Sequence, residues 1–263
     1  ERRLKTQLFT RRGRKLIITN SGRRLLQSAT KILEELARAE YDIARISEGI
    51  GQVLRVSLPH YASFKWLPSV MNYFHQELPN IELEISAELG IEPLNALLKG
   101  NSDIAIISSP KKQLTLNNPD FESLLVMEDE LLACLSTEHA LANKKTLEAQ
   151  DFTEQTYITN ATLPEKDREY ELFFKPANVV PQKVIQVGFN DAIIELIKVN
   201  MGLTIISKQL MKPFSDDKQL TTIKLGDEGL RIYWHLIYLK QPEIKSPAEI
   251  LHKQIKGYIK ESL

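Results

Sequence analysis

The sequence predicts an α/β protein in which a short basic β-hairpin and one long helix precede a larger body of strands and helices. Three observations predict this fold class: cations surround Gly13, apolar residues then recur with a heptad spacing, and strands alternate with helices from residue 52 onwards. A length of 263 residues fits roughly two domains of ordinary size. With 43% hydrophobic and 26% charged residues, the composition is that of a globular protein with sizeable cores.

The hairpin is predicted around Gly13, where a basic turn is followed by an apolar strand over residues 16–19. Such a hairpin forms a wing that lays its cations along a phosphate backbone, which positions a protein on DNA without specifying sequence. The cations expected to contact DNA are Arg11, Arg12, Arg14 and Lys15.

The zero net charge hides an asymmetry along the chain. Residues 1–26 hold nine Lys and Arg and one acid, a charge of +8, so residues 27–263 carry −8. A basic end on an acidic body indicates contact with a polyanion, and we expect nucleic acid. A solvated charged surface is the alternative.

The long helix is predicted after residues 19–22, which offer several N-caps. Apolar or small residues then recur at alternating spacings of four and three, the repeat of a coiled-coil seam. They are Leu25, Ala29, Ile32, Leu36, Ala39, Ile43 and Ile46. Residues 20–50 are therefore expected to form a linker helix that pairs two chains, whereas an amphipathic helix packed on its own domain is the alternative. The residues expected in that interface are Leu25, Ala29, Ile32, Leu36 and Ile43.

The alternation from residue 52 predicts a doubly wound α/β sheet. Strands are predicted at residues 53–58, 81–85, 103–107, 131–135, 157–159, 183–187, 203–206 and 231–239. Helices are predicted at residues 68–78, 94–98, 191–197 and 248–259. The run 164–171 is expected to be a charged surface segment.

The sequence gives little support for an enzyme, a metal site, a disulfide-rich protein or a membrane protein. The single cysteine, Cys134, excludes a disulfide framework and lies in an apolar strand, where packing is expected rather than nucleophilic chemistry. The five histidines lack metal-ligand spacing, and no P-loop, G-x-S-x-G or G-x-G-x-x-G is present, so neither a cofactor nor an enzyme is expected. No apolar run approaches the ~20 residues of a membrane span, so no membrane partner is expected. A single cysteine with no visible export signal favours a cytoplasmic location.

These stretches resemble the LysR-type transcriptional regulators over essentially the whole chain. Residues 8–11, 19–22 and 25–26 resemble the wing and linker-helix start of that family. The body resembles its effector-binding domain at Leu67, Pro68, Phe74, Pro79, Leu97, Gly100, and residues 103–106, 139–141 and 201–203. The family has a winged helix-turn-helix whose base-reading helices precede the wing. Residues 1–19 are therefore expected to be the remnant of that DNA-binding domain.

The resemblance implies a two-lobed effector-binding domain over residues 52–263, of the periplasmic-binding-protein type. Subdomain I would comprise residues 52–133 with 236–263, and subdomain II residues 134–235. A small-molecule co-inducer would bind in the cleft between the lobes, because carboxyl ends of strands and helix N-termini face such a cleft.

Strand ends then indicate the effector site. The candidates are His60, Tyr61, Ser63, Phe64, Ser108, Thr159, Asn160, Phe189 and Asn190. For each of them a capping, turn or packing role is the alternative. Glu88 and Asp191 are candidates for an α-amino group of the ligand.

Within the family, residues 64–68 and 157–159 resemble the homocysteine-responsive regulators of methionine biosynthesis. The resemblance implies a regulator that binds operator DNA and itself, as a homodimer or homotetramer, with RNA polymerase as a further partner. Homocysteine would then be the co-inducer. A regulator of another pathway with a different small carboxylate is the alternative, and a two-lobed solute-binding receptor is less favoured because it would not need residues 1–50.

Overall fold

The computed structural model describes residues 1–47, 51–59, 66–86, 92–160, 167–188 and 190–261. The chain divides into two compact units. Residues 1–53 with 80–82 form the N-terminal unit, and residues 54–79 with 83–263 form the main unit.

The β-strands are β1 Phe9–Arg12, β2 Lys15–Ile18, β3 Gln52–Ser57, β4 Ile81–Ser86, β5 Ile104–Ser109, β6 Phe121–Ser136, β7 Thr146–Leu147, β8 Thr156–Thr159, β9 Lys183–Gln186, β10 Leu203–Ser207, β11 Leu220–Leu225 and β12 Leu230–Leu239. The α-helices are α1 Asn20–Ser47, α2 Leu67–Glu77, α3 Pro93–Leu98, α4 Asn190–Lys198, α5 Lys208–Met211 and α6 Pro242–Glu261. Each strand and helix predicted in the body is therefore present.

In the N-terminal unit, β1 and β2 form the predicted antiparallel hairpin, with Arg12 opposite Lys15. Gly13 occupies the turn at φ +62°, a conformation that glycine adopts without steric cost. Helix α1 follows at once. Thr19 is its N-cap, because the Thr19 hydroxyl accepts a 3.0 Å hydrogen bond from the Gly22 amide.

Gly22 is buried where the helix leaves the hairpin. A Cβ atom at this position would lie 2.2 Å from the Leu8 carbonyl oxygen and 2.6 Å from the Ile18 side chain. Only glycine lets the first turn of α1 pack this closely against the hairpin.

The main sheet has ten strands, of which eight follow the order β4-β3-β5-β12-β6-β10-β8-β9. It is mixed: β3 and β5 are parallel, as are β10, β8 and β9, whereas β12 and β6 run antiparallel to their neighbours. Strands β3 to β5 belong to one lobe, called lobe I, and β8 to β10 belong to the other, called lobe II. The long strands β6 and β12 pair with each other and connect the lobes. The expected subdomain boundaries at residues 133 and 235 stay predictions.

Each lobe has its own apolar core. In lobe I, Leu97 of α3 packs with Ala105, Phe121 and Ile237 of the sheet. In lobe II, α4 packs Ile193, Ile194 and Ile197 against Cys134 and Ile158. The prediction that Cys134 is a packing residue is confirmed, since it is fully buried in this cluster.

Two elements are longer than predicted. Strand β6 begins at Phe121 rather than residue 131, because the acidic residues that interrupt its apolar pattern still pair with β12, Glu130 opposite Arg231. Helix α6 begins at Pro242 and contains Pro247. Its buried stripe of Ile244, Ala248, Leu251 and Ile255 packs on the main unit and outweighs the backbone hydrogen bond that Pro247 cannot donate.

The prediction of a charged surface segment over residues 164–171 is wrong for two of its described members. Arg168 is only 5% exposed, and its Nε atom lies 3.2 Å from Oε2 of Glu169. Glu169 in turn accepts a 3.2 Å hydrogen bond from the Tyr157 hydroxyl. The two charges compensate each other, which allows this part of the run to lie inside the protein.

Candidate functional site

The structure brings three of the predicted effector residues together at the carboxyl end of β8. Asn160, which follows β8, donates a 2.9 Å hydrogen bond from Nδ2 to Oδ1 of Asn190, the first residue of α4. Thr159, the last residue of β8, is 8% exposed, and its carbonyl accepts from the Val187 amide after β9 at 2.9 Å. We call Thr159, Asn160 and Asn190 the strand-end group.

A buried hydrogen-bonded network contacts this group through Thr159. The Tyr157 hydroxyl is hydrogen-bonded to the Thr159 side chain and to Glu169. Burial, followed by the charge of Glu169, raises the pKa of Tyr157 well above its ordinary value. The tyrosine therefore stays a neutral hydroxyl that fixes the orientation of its partners.

The one other effector candidate among the described residues does not join the strand-end group. Ser108 is 6% exposed on β5, in lobe I, and three strands separate β5 from β8 in the sheet. Five candidates lie outside the described residues: His60, Tyr61, Ser63, Phe64 and Phe189. Glu88 lies outside them too, whereas Asp191 is exposed in the first turn of α4.

All four cations of the hairpin are exposed. Arg12 and Lys15 are directly opposite each other on β1 and β2. Like charges in such a cross-strand pair repel each other. An anion held between them relieves that repulsion, which suits this hairpin to a phosphate backbone.

Helix α1 presents the heptad residues to solvent within its own unit. Leu25, Ile32, Leu36 and Ile43 are between 42% and 68% exposed. Four large apolar residues along one line of a helix are an incomplete core unless a partner covers them.

Sequence reasoning missed a cavity of about 260 Å³ in the main unit. It lies at the junction of the lobes, between the strands that connect them, the last turns of α6 and the segment after β10. Both tryptophans of the chain, Trp66 and Trp234, are among its lining residues. Since its lining combines residues from remote parts of the chain, no sequence pattern could have indicated it.

A buried carboxylate beside this cavity was also missed. Asp129 of β6 is 6% exposed, and its Oδ2 atom accepts hydrogen bonds from the Ser207 hydroxyl at 2.5 Å and from Trp234 Nε1 at 3.1 Å. Its Oδ1 atom accepts from the Glu130 amide at 2.8 Å. Three hydrogen-bond donors therefore stabilise this buried carboxylate.

Three further observations bear on other classes of activity. Within the described part of the chain, no group of three or more His, Cys, Asp and Glu residues could hold a metal ion. Among the same residues, no helix combines the length and the apolar character that crossing a membrane requires. Burial raises the pKa of the Cys134 thiol to about 12, so the thiolate needed for nucleophilic chemistry is scarce at neutral pH.

A family model, curated relatives and solved structures all indicate the same protein family for this chain. The LysR substrate binding domain matches residues 47–259. The HTH-type transcriptional regulator MetR of Haemophilus influenzae is 26% identical over 250 residues, which cover 95% of this chain and 79% of that protein.

Two solved structures share the fold. The regulatory domain of MetR, a LysR family regulator from N. meningitidis, has a TM-score of 0.71 at 22% identity and covers 81% of this chain and 96% of its own. A full-length OxyR variant from Pseudomonas aeruginosa has a TM-score of 0.61 at 12% identity and covers 97% of this chain and 86% of its own. Because the substrate-binding domain of the family extends over most of its length, the chain belongs to the LysR-type transcriptional regulators.

Proposed function

We propose that this regulator responds to homocysteine, which binds in the cleft between its lobes and sets its activity on DNA in methionine biosynthesis. The observation that carries the proposal is the strand-end group of Thr159, Asn160 and Asn190, a polar set at a strand end and a helix start. The relatives named MetR and the resemblance of residues 64–68 and 157–159 support homocysteine as the ligand.

The strand-end group suits the carboxylate of an amino acid. Helix α4 begins at Asn190, and the first N–H groups of a helix lack intrahelical partners and carry a partial positive charge. The Asn160 amide and the Thr159 hydroxyl add side-chain hydrogen-bonding groups that orient the ligand. Asp191, exposed in the first turn of α4, is the described candidate for the α-amino group.

Ser108 of lobe I is proposed to contact the same ligand from the opposite side of the cleft. A ligand held by both lobes favours the closed arrangement only if it binds that arrangement more tightly than the open one. Closure then changes how the two chains of an oligomer hold DNA. His60, Tyr61, Ser63, Phe64 and Phe189 remain predicted members of this site.

The N-terminal unit is proposed to supply the contacts with DNA and with a second chain. Arg11, Arg12, Arg14 and Lys15 would neutralise phosphates, and the apolar line of α1 would pair two chains into a homodimer, from which a homotetramer can assemble. RNA polymerase is a proposed further partner. Such a protein acts in the cytoplasm, where the DNA lies.

Calorimetric titration of the chain with homocysteine tests the proposal, with methionine and succinate as comparison ligands. We expect saturable binding of homocysteine that a Thr159→Val substitution weakens about tenfold, the effect of losing one buried hydrogen bond to a charged group. Thr222→Val is the matched control, because Thr222 is exposed on β11. Asn160→Asp, which adds a negative charge beside the ligand carboxylate, should also weaken binding.

The outcomes separate the alternatives. Binding of succinate without homocysteine would retain a carboxylate-responsive regulator and exclude the methionine pathway. Binding of homocysteine that neither Thr159→Val nor Asn160→Asp affects would remove the ligand from the strand-end group. Circular dichroism of each variant establishes that it is folded.

A further inference from the structure

Tyr157 occupies a fixed position inside lobe II. It is 6% exposed, and its ring lies edge-to-face against the rings of Phe152 and Phe174, with centroid distances of 6.2 Å and 5.4 Å. Such contacts leave a ring little freedom to move in a packed core. The Tyr157 hydroxyl is therefore held in one place, where it is hydrogen-bonded to both Glu169 and Thr159.

The segment that carries Glu169 is held by the same aromatic cluster. It leads directly into the π-helix Tyr170–Phe174, whose last two residues both lie edge-to-face against Phe152, with centroid distances of 5.6 Å and 5.2 Å. π-Helical turns are rare and occur frequently at functional sites. This turn anchors the Glu169 carboxylate beside the Tyr157 hydroxyl.

The direction of each hydrogen bond here follows from the number of protons. The Tyr157 hydroxyl has one proton, which it donates to Oε1 of Glu169 at 3.2 Å. The Glu169 carboxylate is ion-paired with Arg168, whose Nε atom lies 3.2 Å from Oε2, and an ionised carboxylate can only accept. In the hydrogen bond between Tyr157 and the Thr159 side chain, Thr159 is therefore the donor. We call Thr159, Tyr157, Glu169 and Arg168 the buried network.

Thr159 consequently offers an acceptor to a ligand. A threonine hydroxyl has one proton and two lone pairs, and this proton is directed to Tyr157. The two lone pairs leave room for a ligand besides the further interaction that Thr159 makes within the protein. An ionised carboxylate also has only lone pairs and is repelled at this oxygen, whereas an ammonium group donates to it.

The rest of the strand-end group offers donors. Asn160 uses one N–H of its side-chain amide on Oδ1 of Asn190 at 2.9 Å and has a second N–H. Helix α4 begins at Asn190, and the first backbone N–H groups of a helix lack intrahelical partners. The strand-end group thus combines an acceptor at the end of β8 with donors at the start of α4, the two kinds of partner that a zwitterion needs.

We propose that Thr159 recognises the α-ammonium group of the effector, and that Tyr157 and Glu169 are positioning residues that keep the Thr159 hydroxyl an acceptor. This inference rests on the proposed homocysteine site. An ammonium group has three N–H donors, so its contact with Thr159 is compatible with a second contact to Asp191. The site therefore selects α-amino acids over carboxylates of the same length that lack the amino group.

Calorimetric titration with homocysteine and with 4-mercaptobutanoate, which lacks only the α-amino group, measures this selectivity. The unmodified chain should bind homocysteine at least about tenfold more tightly, as expected for a hydrogen bond to a charged group. Thr159→Val should lower this ratio of affinities about tenfold by weakening homocysteine alone, and Thr159→Ser, which keeps the hydroxyl, should preserve it. Equal affinity for the two compounds in the unmodified chain would overturn the inference and retain the cleft as the ligand site.

Tyr157→Phe tests the positioning role. It keeps the ring in the aromatic cluster but frees the Thr159 proton, which can then turn towards the ligand. The ratio of affinities should fall at least about threefold, whereas a merely structural loss would weaken both compounds alike. Tyr73→Phe is the matched control, because Tyr73 is hydrogen-bonded to Glu77 on α2 and is 37% exposed. An unchanged ratio in Tyr157→Phe, or an equal fall in Tyr73→Phe, would contradict the positioning role.

Glu169→Gln should reverse the hydrogen bonds of the buried network. Arg168 has only donors, so it holds the amide oxygen and turns the amide nitrogen towards Tyr157. Tyr157 then donates to Thr159, and Thr159 donates to the ligand. Homocysteine should bind at least about tenfold more weakly, and 4-mercaptobutanoate should bind as tightly as before or more tightly. Equal weakening of both compounds, in a variant that circular dichroism shows to be folded, would contradict this reversal.

The outcomes distinguish this inference from the proposed function. Homocysteine binding with the same ratio of affinities in the unmodified chain, Thr159→Val and Tyr157→Phe would contradict the inference alone. A chain that binds neither compound would contradict the proposed effector and this inference with it.

Discussion

The hydroxyl of Ser207 donates a 2.5 Å hydrogen bond to Oδ2 of Asp129, which joins the end of β10 to the long strand β6. Both side chains are buried, at 4% and 6% exposed. Because β10 belongs to lobe II and β6 runs through both lobes, this contact fixes lobe II to the strands that connect it to lobe I.

Ser207→Ala should therefore destabilise the main unit. The substitution removes a donor from a buried carboxylate and also the side-chain cap of α5, since Ser207 Oγ accepts from the Gln209 amide at 3.2 Å. We expect a loss of about 1–3 kcal/mol in the free energy of unfolding, measured in urea. Ser215→Ala, at an exposed serine, should cost less than about 0.5 kcal/mol. Equal losses would mean that the buried contact contributes nothing.

The hairpin should bind DNA without sequence preference. Arg12→Ala combined with Arg14→Ala should weaken every duplex alike and reduce the slope of log affinity against log salt by about 1.8, at 0.9 per phosphate contact. Fluorescence anisotropy titrations at a series of salt concentrations measure both the affinity and the slope. Lys111→Ala with Lys112→Ala removes the same charge from exposed positions of lobe I and should leave the slope unchanged. A loss confined to one sequence with an intact slope would contradict the phosphate contacts.

Leu36→Asp should separate the two chains proposed to pair through α1. Leu36 is 53% exposed in the single chain. Pairing of two chains would bury the two introduced carboxylates against each other, which is unfavourable. We expect the dimer dissociation constant to rise at least about tenfold in sedimentation experiments. Gln27→Asp introduces an acid on the same helix outside the heptad line and should leave it unchanged. Equal dimer dissociation constants for the Leu36→Asp and Gln27→Asp variants would indicate that the heptad line of α1 does not form the dimer interface.

Cys134 should resist alkylation in the folded protein. It is fully buried, and its pKa of about 12 keeps the thiol protonated at pH 8. Iodoacetamide should label it only after denaturation, as mass spectrometry can follow. Labelling of the native protein at the rate of the denatured chain would place the thiol at the surface.

Stability should fall as the pH drops below about 6.5. Burial lowers the pKa of His235, although the hydrogen bond from its Nε2 to the Lys111 carbonyl opposes the shift, and burial likewise lowers the pKa of His139 and His252. A histidine whose folded pKa is lowered binds its proton first in the unfolded state, so acid favours unfolding. His235→Gln should therefore flatten the fall in urea midpoint between pH 7 and pH 5. An unchanged fall of the urea midpoint in His235→Gln would mean that groups other than His235 cause the loss of stability in acid.

Local chemistry made the N-terminal unit predictable from sequence. Gly13 between cations indicates a turn, and Thr19 can cap a helix without help from distant residues. The heptad repeat from Leu25 to Ile46 depends on the sequence of one helix alone. The strands of the main unit followed from short apolar runs for the same reason. These elements depend on residues that are neighbours along the chain.

Tertiary structure alone decided which remote residues meet. Ser207 and Trp234 lie 78 and 105 residues beyond Asp129, and only the sheet order brings their donors to its carboxylate. Arg168 and Glu169 were expected at the surface. Their burial depends on their pairing with each other and on the hydrogen bond from Tyr157 to Glu169, and sequence periodicity does not encode these contacts. The cavity between the two tryptophans has the same origin. Local sequence determines the elements of this protein, and the packing of elements distant in sequence determines which of their residues meet.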